Sequence, residues 1–496
     1  MNKRTISILL LGAIGASVVS CGGEAPDQVT TDDQTDTTAE VIVEETTKFP
    51  SLPDDLDFGG ETLNILIRED SGSGSHLWAG EFYVVESTGD VVNDAVYQRN
   101  LDVSSFLNLE LNYISLPGDW ANMNSFITTV RASIQSGEGA YDVMASYQYY
   151  TPTFATEGLL KNISDLPHVD WSQPWWPDDL MDSLMVNGRL YFVTGDIALS
   201  VFRDSIVTFF NSNLAEDYDI DMYQIVNDGK WTADMANTIT KQVYADLNGD
   251  GKMELGVDRF GYINYPAGQY LGAFGARTTV IGEDGVPIFN LNDERFISGV
   301  EKLWALLFDN EGGVDHTTSS NYAQKNDLDA IFMNDQCFFY VNSLSYSDKF
   351  RAMSSDFGII PIFKLNEEQE TYYTGPGDSY TVISVPIDAD KDEAAGAYLE
   401  AMACLGRNSV REAYFSTALK NKITRDDESF KMLEMITSNV VYTFDKMYSS
   451  VIGNVGNIMR VMTDSNATGW STYVASNIDS WQTKLDKLLT FFDITE

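Results

Sequence analysis

The chain has 496 residues, and its 74 acidic and 31 basic side chains give a formal charge of −43. Such a charge repels the phosphates of nucleic acids and of anionic lipids, which excludes both as binding surfaces. With 44% hydrophobic residues, the sequence is long and apolar enough for two or three domains with large cores.

The first twenty residues have the pattern of an export signal. Two basic residues precede the apolar run Ile6–Val19, which is too short to span a bilayer and is typical of a signal peptide. The run ends in Val-Val-Ser-Cys, which resembles a bacterial lipobox. In such signals the chain is cut before the cysteine, here Cys21, which is then lipidated. We therefore expect residues 1–20 to be a lipoprotein signal peptide. The mature protein would sit on the bacterial cell surface, held at the outer face of the cytoplasmic membrane by its lipid alone. The alternative is an ordinary secretory signal followed by a chance cysteine.

Residues 21–60 are predicted to form a disordered acidic linker. Eleven acidic residues between Gly22 and Asp57 face only one basic residue, Lys48. The segment has no sustained apolar period, and a charge-extended chain of this kind cannot bury enough surface to fold.

From Glu61 onward, predicted strands and helices alternate, which indicates an α/β architecture. Apolar runs predict strands at Glu61–Ile67, Leu109–Ser115, Tyr141–Ala145, Leu190–Val193, Ser205–Asn211, Gln336–Asn342, Asp356–Ile362 and Tyr380–Pro386. Helical spacing of apolar residues predicts helices at Asn93–Leu107, Met123–Ser136, Phe296–Phe308, Asp327–Met333 and Asp392–Leu405, with a closing helix through Ile478, Trp481, Leu485, Leu488 and Phe492.

The segment from Leu190 to Asp221 carries a resemblance to a known family. It is similar to the stretch in which extracellular solute-binding proteins of ABC importers cross from one lobe to the other. The sequence keeps Gly195-Asp196, Asn211 and Ile220-Asp221 of that pattern, but has Thr194 where proline is usual and Phe210 where tyrosine is usual.

Further family-like stretches follow in the expected order, and together they cover most of the chain from about Glu61. Trp231-Thr232 opens a helix, and Lys391 with Ala394-Ala395 marks the late strand–helix unit. The resemblance implies an α/β, two-lobed, periplasmic-binding-protein-like (type II) fold with a hinged ligand cleft. Lobe 1 is expected from residues 61–208 plus 356–405, and lobe 2 from residues 209–355 plus 406–496.

The resemblance also implies a function. We expect a monomeric, lipid-anchored protein that captures a carbohydrate, an oligosaccharide in the first instance, and delivers it to the transmembrane subunits of an ABC permease. The sugar is expected because the resemblance is to the sugar-binding branch and because the chain is rich in Trp and Tyr. Peptides and other solutes remain open. No enzyme motif accompanies these features, but a surface glycosidase or a glycan-binding protein without a transporter remains an alternative.

Candidate ligand-binding residues are aromatic and polar side chains that follow predicted strands or lie at the crossing. Aromatic rings stack on the apolar faces of sugars, while amides and carboxylates bond their hydroxyls. The candidates are Trp78, Trp120, Tyr147, Gln148, Trp175, Trp176, Asp196, Tyr346 and Asp378. For each aromatic residue, packing in the core is the competing interpretation.

One acidic loop resembles a calcium-binding loop. Its oxygen-bearing residues match the early positions of such loops, although the final glutamate is replaced by Val257. A structural Ca²⁺ is one hypothesis and a metal-free Asx/Gly turn is the other. The candidate ligands are Asp246, Asn248, Asp250, Lys252, Glu254 and Asp258.

Overall fold

The computed structural model describes residues 49–69, 79–264, 267–315, 325–415 and 427–494. The predicted signal peptide, the predicted lipidation site Cys21 and the candidate ligand residue Trp78 lie outside these ranges. Among the described residues, no helix is both long and apolar enough to cross a membrane.

Eleven strands are found in the described ranges. In chain order they are β1 Glu61–Glu69, β2 Leu109–Pro117, β3 Val143–Tyr147, β4 Ile206–Asn211, β5 Phe260–Asn264, β6 Thr279–Ile281, β7 Pro287–Phe289, β8 Gly313–Asp315, β9 Cys337–Ser343, β10 Phe357–Ile360 and β11 Thr381–Ser384. Most are short apolar runs buried on both faces, as expected for sheets covered by helices.

The first sheet has the order β11-β3-β1-β2. Its strands β1, β2 and β3 are parallel, and β11 is antiparallel to β3. Because parallel strands point the same way, the carboxyl ends of β1, β2 and β3 meet at one edge.

The second sheet has the order β10-β4-β9-β5-β8. Strands β5, β8 and β9 are parallel, while β4 is antiparallel to both β9 and β10. Strand β10, which the predicted boundaries assign to lobe 1, therefore belongs to the same sheet as β4 and β9. The short hairpin of β6 and β7 stands apart from both sheets.

Helices fill the connections between the strands. The longer ones are Val91–Leu107, Met123–Ser136, Asp178–Leu184, Ala233–Val243, Glu294–Phe308, Lys325–Met333, Asp392–Leu405, Asp427–Ser438, Ile458–Asp464 and Trp470–Leu489. Short helices lie at Thr151–Thr156, Ser200–Arg203, Ser212–Asp217, Met222–Asn227, Tyr270–Ala273, Ser347–Phe350 and Phe444–Met447, and a π-helical turn at Gly406–Arg411 follows helix Asp392–Leu405.

Two predicted helices are confirmed to the residue, Met123–Ser136 and Asp392–Leu405. The first buries Phe126, Val130 and Ile134, the three residues spaced by four in the sequence. It ends at Gly137, whose φ of +70° is a left-handed conformation that glycine adopts without strain.

Two predictions near the first sheet are wrong. Leu190–Val193 forms no strand, and only Val193 makes an isolated antiparallel bridge, to Ile383 of β11. The predicted disordered linker of residues 21–60 extends too far, because Phe49 and Leu52 are buried in the core and Phe49 packs against the ring of Phe106. A short apolar pair in an acidic context gave too weak a periodic signal to place this segment in the fold.

Candidate functional site

An aromatic surface lies at the edge where β2 and β3 end. Trp120 follows β2, and its side chain is 60% exposed. Its ring centroid lies 5.4 Å from that of Tyr149, which follows β3, and Tyr149 in turn lies 6.2 Å from Tyr147. The parallel pairing of the strands brings these rings together, and the outermost ring is open to a ligand.

A buried cation packs against Tyr147, one of the three rings of this surface. The guanidinium of Arg68, near the end of β1, lies 4.9 Å from the ring centroid of Tyr147. It donates hydrogen bonds to the carbonyl of Ser379 and, at 3.2 Å, to Oγ1 of Thr381. Burial raises the pKa of the Tyr147 phenol, and the negative charge of Asp378 raises it further. Tyr147 is therefore a neutral hydroxyl at physiological pH.

The segment that follows helix Asp427–Ser438 brings a second cation to the same edge. The Nζ of Lys446 lies 2.5 Å from Oδ1 of Asp378 and donates a hydrogen bond of 2.6 Å to Oδ1 of Asn457. The side-chain Nε2 of Gln148 donates hydrogen bonds to the backbone carbonyls of Lys446 and Met447, at 3.2 and 2.8 Å.

The hydroxyl of Tyr149 donates to Oδ1 of Asn454 at 3.3 Å. The end of β3 is thus bonded to a segment some three hundred residues later in the chain.

The loop after β5 of the second sheet reaches this cluster. A Cβ placed on Gly268 would lie 2.9 Å from Oδ1 of Asn457 and 3.6 Å from Nζ of Lys446. A Cβ on Gly375 would lie 2.7 Å from the carbonyl oxygen of Gln269. Loops following both sheets therefore border the same group of side chains. We call this group the sheet-edge site: Arg68, Trp120, Tyr147, Gln148, Tyr149, Asp378, Lys446, Asn454 and Asn457.

Four of the sequence candidates meet at the sheet-edge site: Trp120, Tyr147, Gln148 and Asp378. Its other members were not chosen from the sequence. Tyr149 lies just after the end of β3, but no local pattern marks Lys446, Asn454 or Asn457, since they approach through the tertiary fold.

Trp175 and Asp196 lie elsewhere, lining a separate cavity of about 440 Å³. The carboxylate of Asp196 is held there by Arg407 and Arg411, at 2.9 and 2.8 Å. The side chain of Trp175 is only 3% exposed.

Two further candidates are packed in the core. Trp176 is 1% exposed and donates a hydrogen bond of 3.0 Å to Oε2 of the buried Glu400. Tyr346, which follows β9, is 5% exposed and packs against Tyr340 and Phe350. This burial favours a packing role over ligand contact for both.

The acidic loop after helix Ala233–Val243 turns its oxygen atoms toward its own backbone. The carboxylate of Asp246 accepts hydrogen bonds from Gly249 and Gly251, and that of Asp258 accepts from Leu247 and Glu254. Asn248 and Asp250 each accept from the amide two residues on, as in Asx turns.

The described residues contain no group of three or more His, Cys, Asp or Glu side chains arranged to hold a metal ion. The calcium site stays a prediction for a measurement in solution.

Comparison with known proteins identifies the fold. Neither a protein-family model nor a curated protein matches the sequence. Solved structures do match over most of the chain. A galacto-N-biose/lacto-N-biose I-binding protein of the ABC transporter from Bifidobacterium longum is 15% identical, with a TM-score of 0.55 over 88% of this chain and 99% of that one. The chain has a type II periplasmic-binding-protein-like fold.

Two more structures agree with this assignment. A cyclo/maltodextrin-binding protein, solved with maltotetraose, is 11% identical with a TM-score of 0.53, over 87% of this chain and 96% of that one. An ABC substrate-binding protein from Listeria monocytogenes, solved with cycloalternan, is 12% identical with a TM-score of 0.51, over 88% of this chain and all of that one. The two sheets, with loops of both bordering one site, are the two-lobed arrangement of this fold.

Proposed function

We propose that the protein is the substrate-binding protein of an ABC importer, which captures an oligosaccharide between its two lobes and delivers it to the permease. The observation that carries the proposal is the sheet-edge site. There, an exposed aromatic ring, amides and hydroxyls from the first sheet meet loops that follow the second sheet. The fold supports it, because the matched proteins are described as binding sugars and as parts of ABC transporters.

The chemistry of the site suits a neutral sugar. Trp120 offers a flat apolar face for the C–H groups of a pyranose, and the neighbouring Tyr149 continues that surface. Asp378 and Asn454, which are at least partly exposed, supply a carboxylate and an amide that can hydrogen-bond sugar hydroxyls at the rim of the site. The buried Gln148 holds the Lys446 segment in place through its two hydrogen bonds. No catalytic step is proposed, because the carboxylate of Asp378 is already paired with Lys446.

Closure around the ligand is the proposed mechanism. A ligand that contacts groups from both lobes binds the closed form better than the open one, so it shifts the population toward closure by that difference in affinity. The closed form would then be the one that docks on the permease. We further propose that Cys21 carries a lipid that keeps the protein at the outer face of the cytoplasmic membrane.

A thermal-shift screen tests the proposal directly. The chain beginning after Cys21 would be melted with mono- and oligosaccharides, and the sugars would be recovered for analysis. A ligand present at 100 times its Kd adds about 2.7 kcal/mol, which gives a shift of a few degrees. A selective shift with unchanged sugar supports the importer. Breakdown of the sugar would overturn it in favour of a glycosidase, and no shift with any sugar would overturn the carbohydrate assignment.

A further inference from the structure

The two chain segments that connect the sheets lie side by side. Ser205, just before β4, pairs with Pro376 as an isolated antiparallel bridge, and the amide of Ile206 donates to the carbonyl of Gly375 at 3.2 Å. Further along, Val193 pairs with Ile383. The loop from 374 to 380 is therefore laid directly on the segment that enters β4.

Asp204 holds this loop at two points. Its carbonyl oxygen accepts a hydrogen bond of 2.7 Å from the amide of Gly377, and its Oδ2 accepts one of 2.6 Å from the amide of Ser379. The fit is close, since a Cβ placed on Gly377 would lie 2.4 Å from the same Oδ2. The backbone on both sides of Asp378 is thus fixed by one residue.

The loop in turn places two contacts of the sheet-edge site. Asp378 reaches Nζ of Lys446 at 2.5 Å, and the carbonyl of Ser379 accepts the hydrogen bond from Arg68. If the loop moved, the ion pair and the support beneath Tyr147 would both be lost. Asp204 does not itself belong to the aromatic surface that a ligand would touch.

We infer that Asp204 is a positioning residue of the sheet-edge site, which holds the loop carrying Asp378 in the conformation that binds ligand. The expected effect of Asp204 on ligand binding rests on the proposed function. The holding of the loop itself does not depend on which ligand the protein binds.

The inference carries a pH dependence. Burial raises the pKa of Asp204 to about 7, the amide of Ser379 opposes this shift, and the charge of Asp378 adds to it. An open loop would admit water and return the carboxyl toward its ordinary pKa. The closed loop therefore binds more protons than the open loop between pH 4 and 7, so raising the pH favours opening. The charged or titratable groups that face Asp204 are Asp378, Arg68, Lys446, Tyr147 and Tyr380.

Hydrogen exchange of the loop, measured in the protein without ligand, tests the inference. In the wild type we expect the protection factors of the 374–381 peptide to fall about tenfold or more between pH 5.5 and 8. Asp204→Asn keeps a neutral acceptor, so it should hold the loop equally at both pH values. Asp204→Ala should expose the loop at both. The matched control is Asp348→Asn, which should behave as the wild type. In the wild type, the carboxylate of Asp348 pairs with Arg203, the neighbour of Asp204, at 3.2 Å.

Two results would overturn the inference: an Asp204→Ala variant with wild-type protection, or an Asp204→Asn variant with the wild-type pH step. Gly377→Ala provides a second probe that keeps the carboxyl group. Its Cβ meets Oδ2, so it should reduce loop protection, and wild-type protection here would also count against the inference. The Kd of the sugar found by the thermal-shift screen is measured in parallel. If the wild type binds no sugar, the proposed function fails, while the exchange data still decide the role of Asp204.

Discussion

Replacing Trp120 with alanine should weaken sugar binding and leave stability almost unchanged, and replacing Trp176 should do the reverse. The two tryptophans are both sequence candidates for ligand binding, yet one is 60% exposed and the other 1% exposed. The pair separates contact with a ligand from packing in the core within a single protein.

The magnitudes follow from exposure. An aromatic side chain offers up to about 250 Å², so about 150 Å² of Trp120 is open to a ligand. If a sugar ring covers half of this area, about 75 Å² is buried at roughly 25 cal/mol per Å², which is worth about 2 kcal/mol. Trp120→Ala should therefore raise Kd roughly 30-fold.

Trp176→Ala acts on stability instead. It removes a side chain packed against Trp171 and bonded to the buried Glu400. A large aromatic deleted from a core costs about 3 to 5 kcal/mol. Kd for sugar should stay within about twofold, provided that the measurement is made well below the lowered melting temperature.

Isothermal titration with the sugar from the thermal-shift screen gives Kd, and urea unfolding gives stability. Trp304→Ala is the control, since this partly buried tryptophan lies on helix Glu294–Phe308 and should leave Kd unchanged. The reasoning fails if Trp120→Ala binds as the wild type. If a folded Trp176→Ala loses binding, the ligand lies in another part of the molecule than the sheet edge.

Three further predictions concern charged groups. Asp196→Ala leaves Arg407 and Arg411 without their shared carboxylate, so it should lower the free energy of unfolding by about 2 kcal/mol. This loss is smaller than for a fully buried pair because both arginines are partly exposed. A loss under about 0.5 kcal/mol in urea unfolding would contradict the prediction. Calcium, if bound by the acidic loop, should raise the melting temperature of the wild type but not of Asp246→Ala, and equal curves for both would leave the loop a metal-free turn. Folding raises the pKa of Asp204 to about 7, so the folded state binds more protons, and the free energy of unfolding should fall by up to about 4 kcal/mol as the pH rises from 4 to 7. Asp204→Asn should lack this pH-dependent component. The prediction is refuted if the free energy of unfolding, measured with urea, changes with pH in the same way for the wild type and the variant.

Long elements with a clear period could be predicted from the sequence because their signal is local. Phe126, Val130 and Ile134 repeat every four residues and are buried together, so helix Met123–Ser136 needed no tertiary information. Trp231-Thr232 was expected to open a helix, and the side chain of Thr232 does cap helix Ala233–Val243 by accepting from the amide of Met235. The apolar run Leu190–Val193 has an equally local strand pattern, but the one β-bridge it forms in the fold is the isolated pair of Val193 and Ile383.

The site could be predicted where a strand leads into it, and at Asp378 in the segment that returns to the first sheet. Trp120 and Tyr147 were candidates because each follows a predicted strand, and the parallel pairing of these strands with β1 brings their ends to one edge. Trp176 lies in a proline-rich loop, where nothing local separates a buried ring from an exposed one. Lys446 and Asn457 arrive from a short helix and a turn near the chain's end, and only the folded structure brings them against Asp378.

The ion pair between Lys446 and Asp378 bears on which ligands the site can accept. An anionic sugar would have to bind a cation at this edge, and the two cations that the described residues bring there, Lys446 and Arg68, already contact acceptors of the protein. Lys446 contacts both Asp378 and Asn457, and Arg68 bonds to Ser379. An anion would have to compete with a carboxylate 2.5 Å from the ammonium group, and it would approach a chain with a formal charge of −43. A neutral oligosaccharide neither competes with the Asp378 carboxylate nor is repelled by the net charge. It can stack on Trp120 and form hydrogen bonds at the rim of the site while the ion pair stays intact. The charges at the site therefore favour the same ligand class as its aromatic surface does.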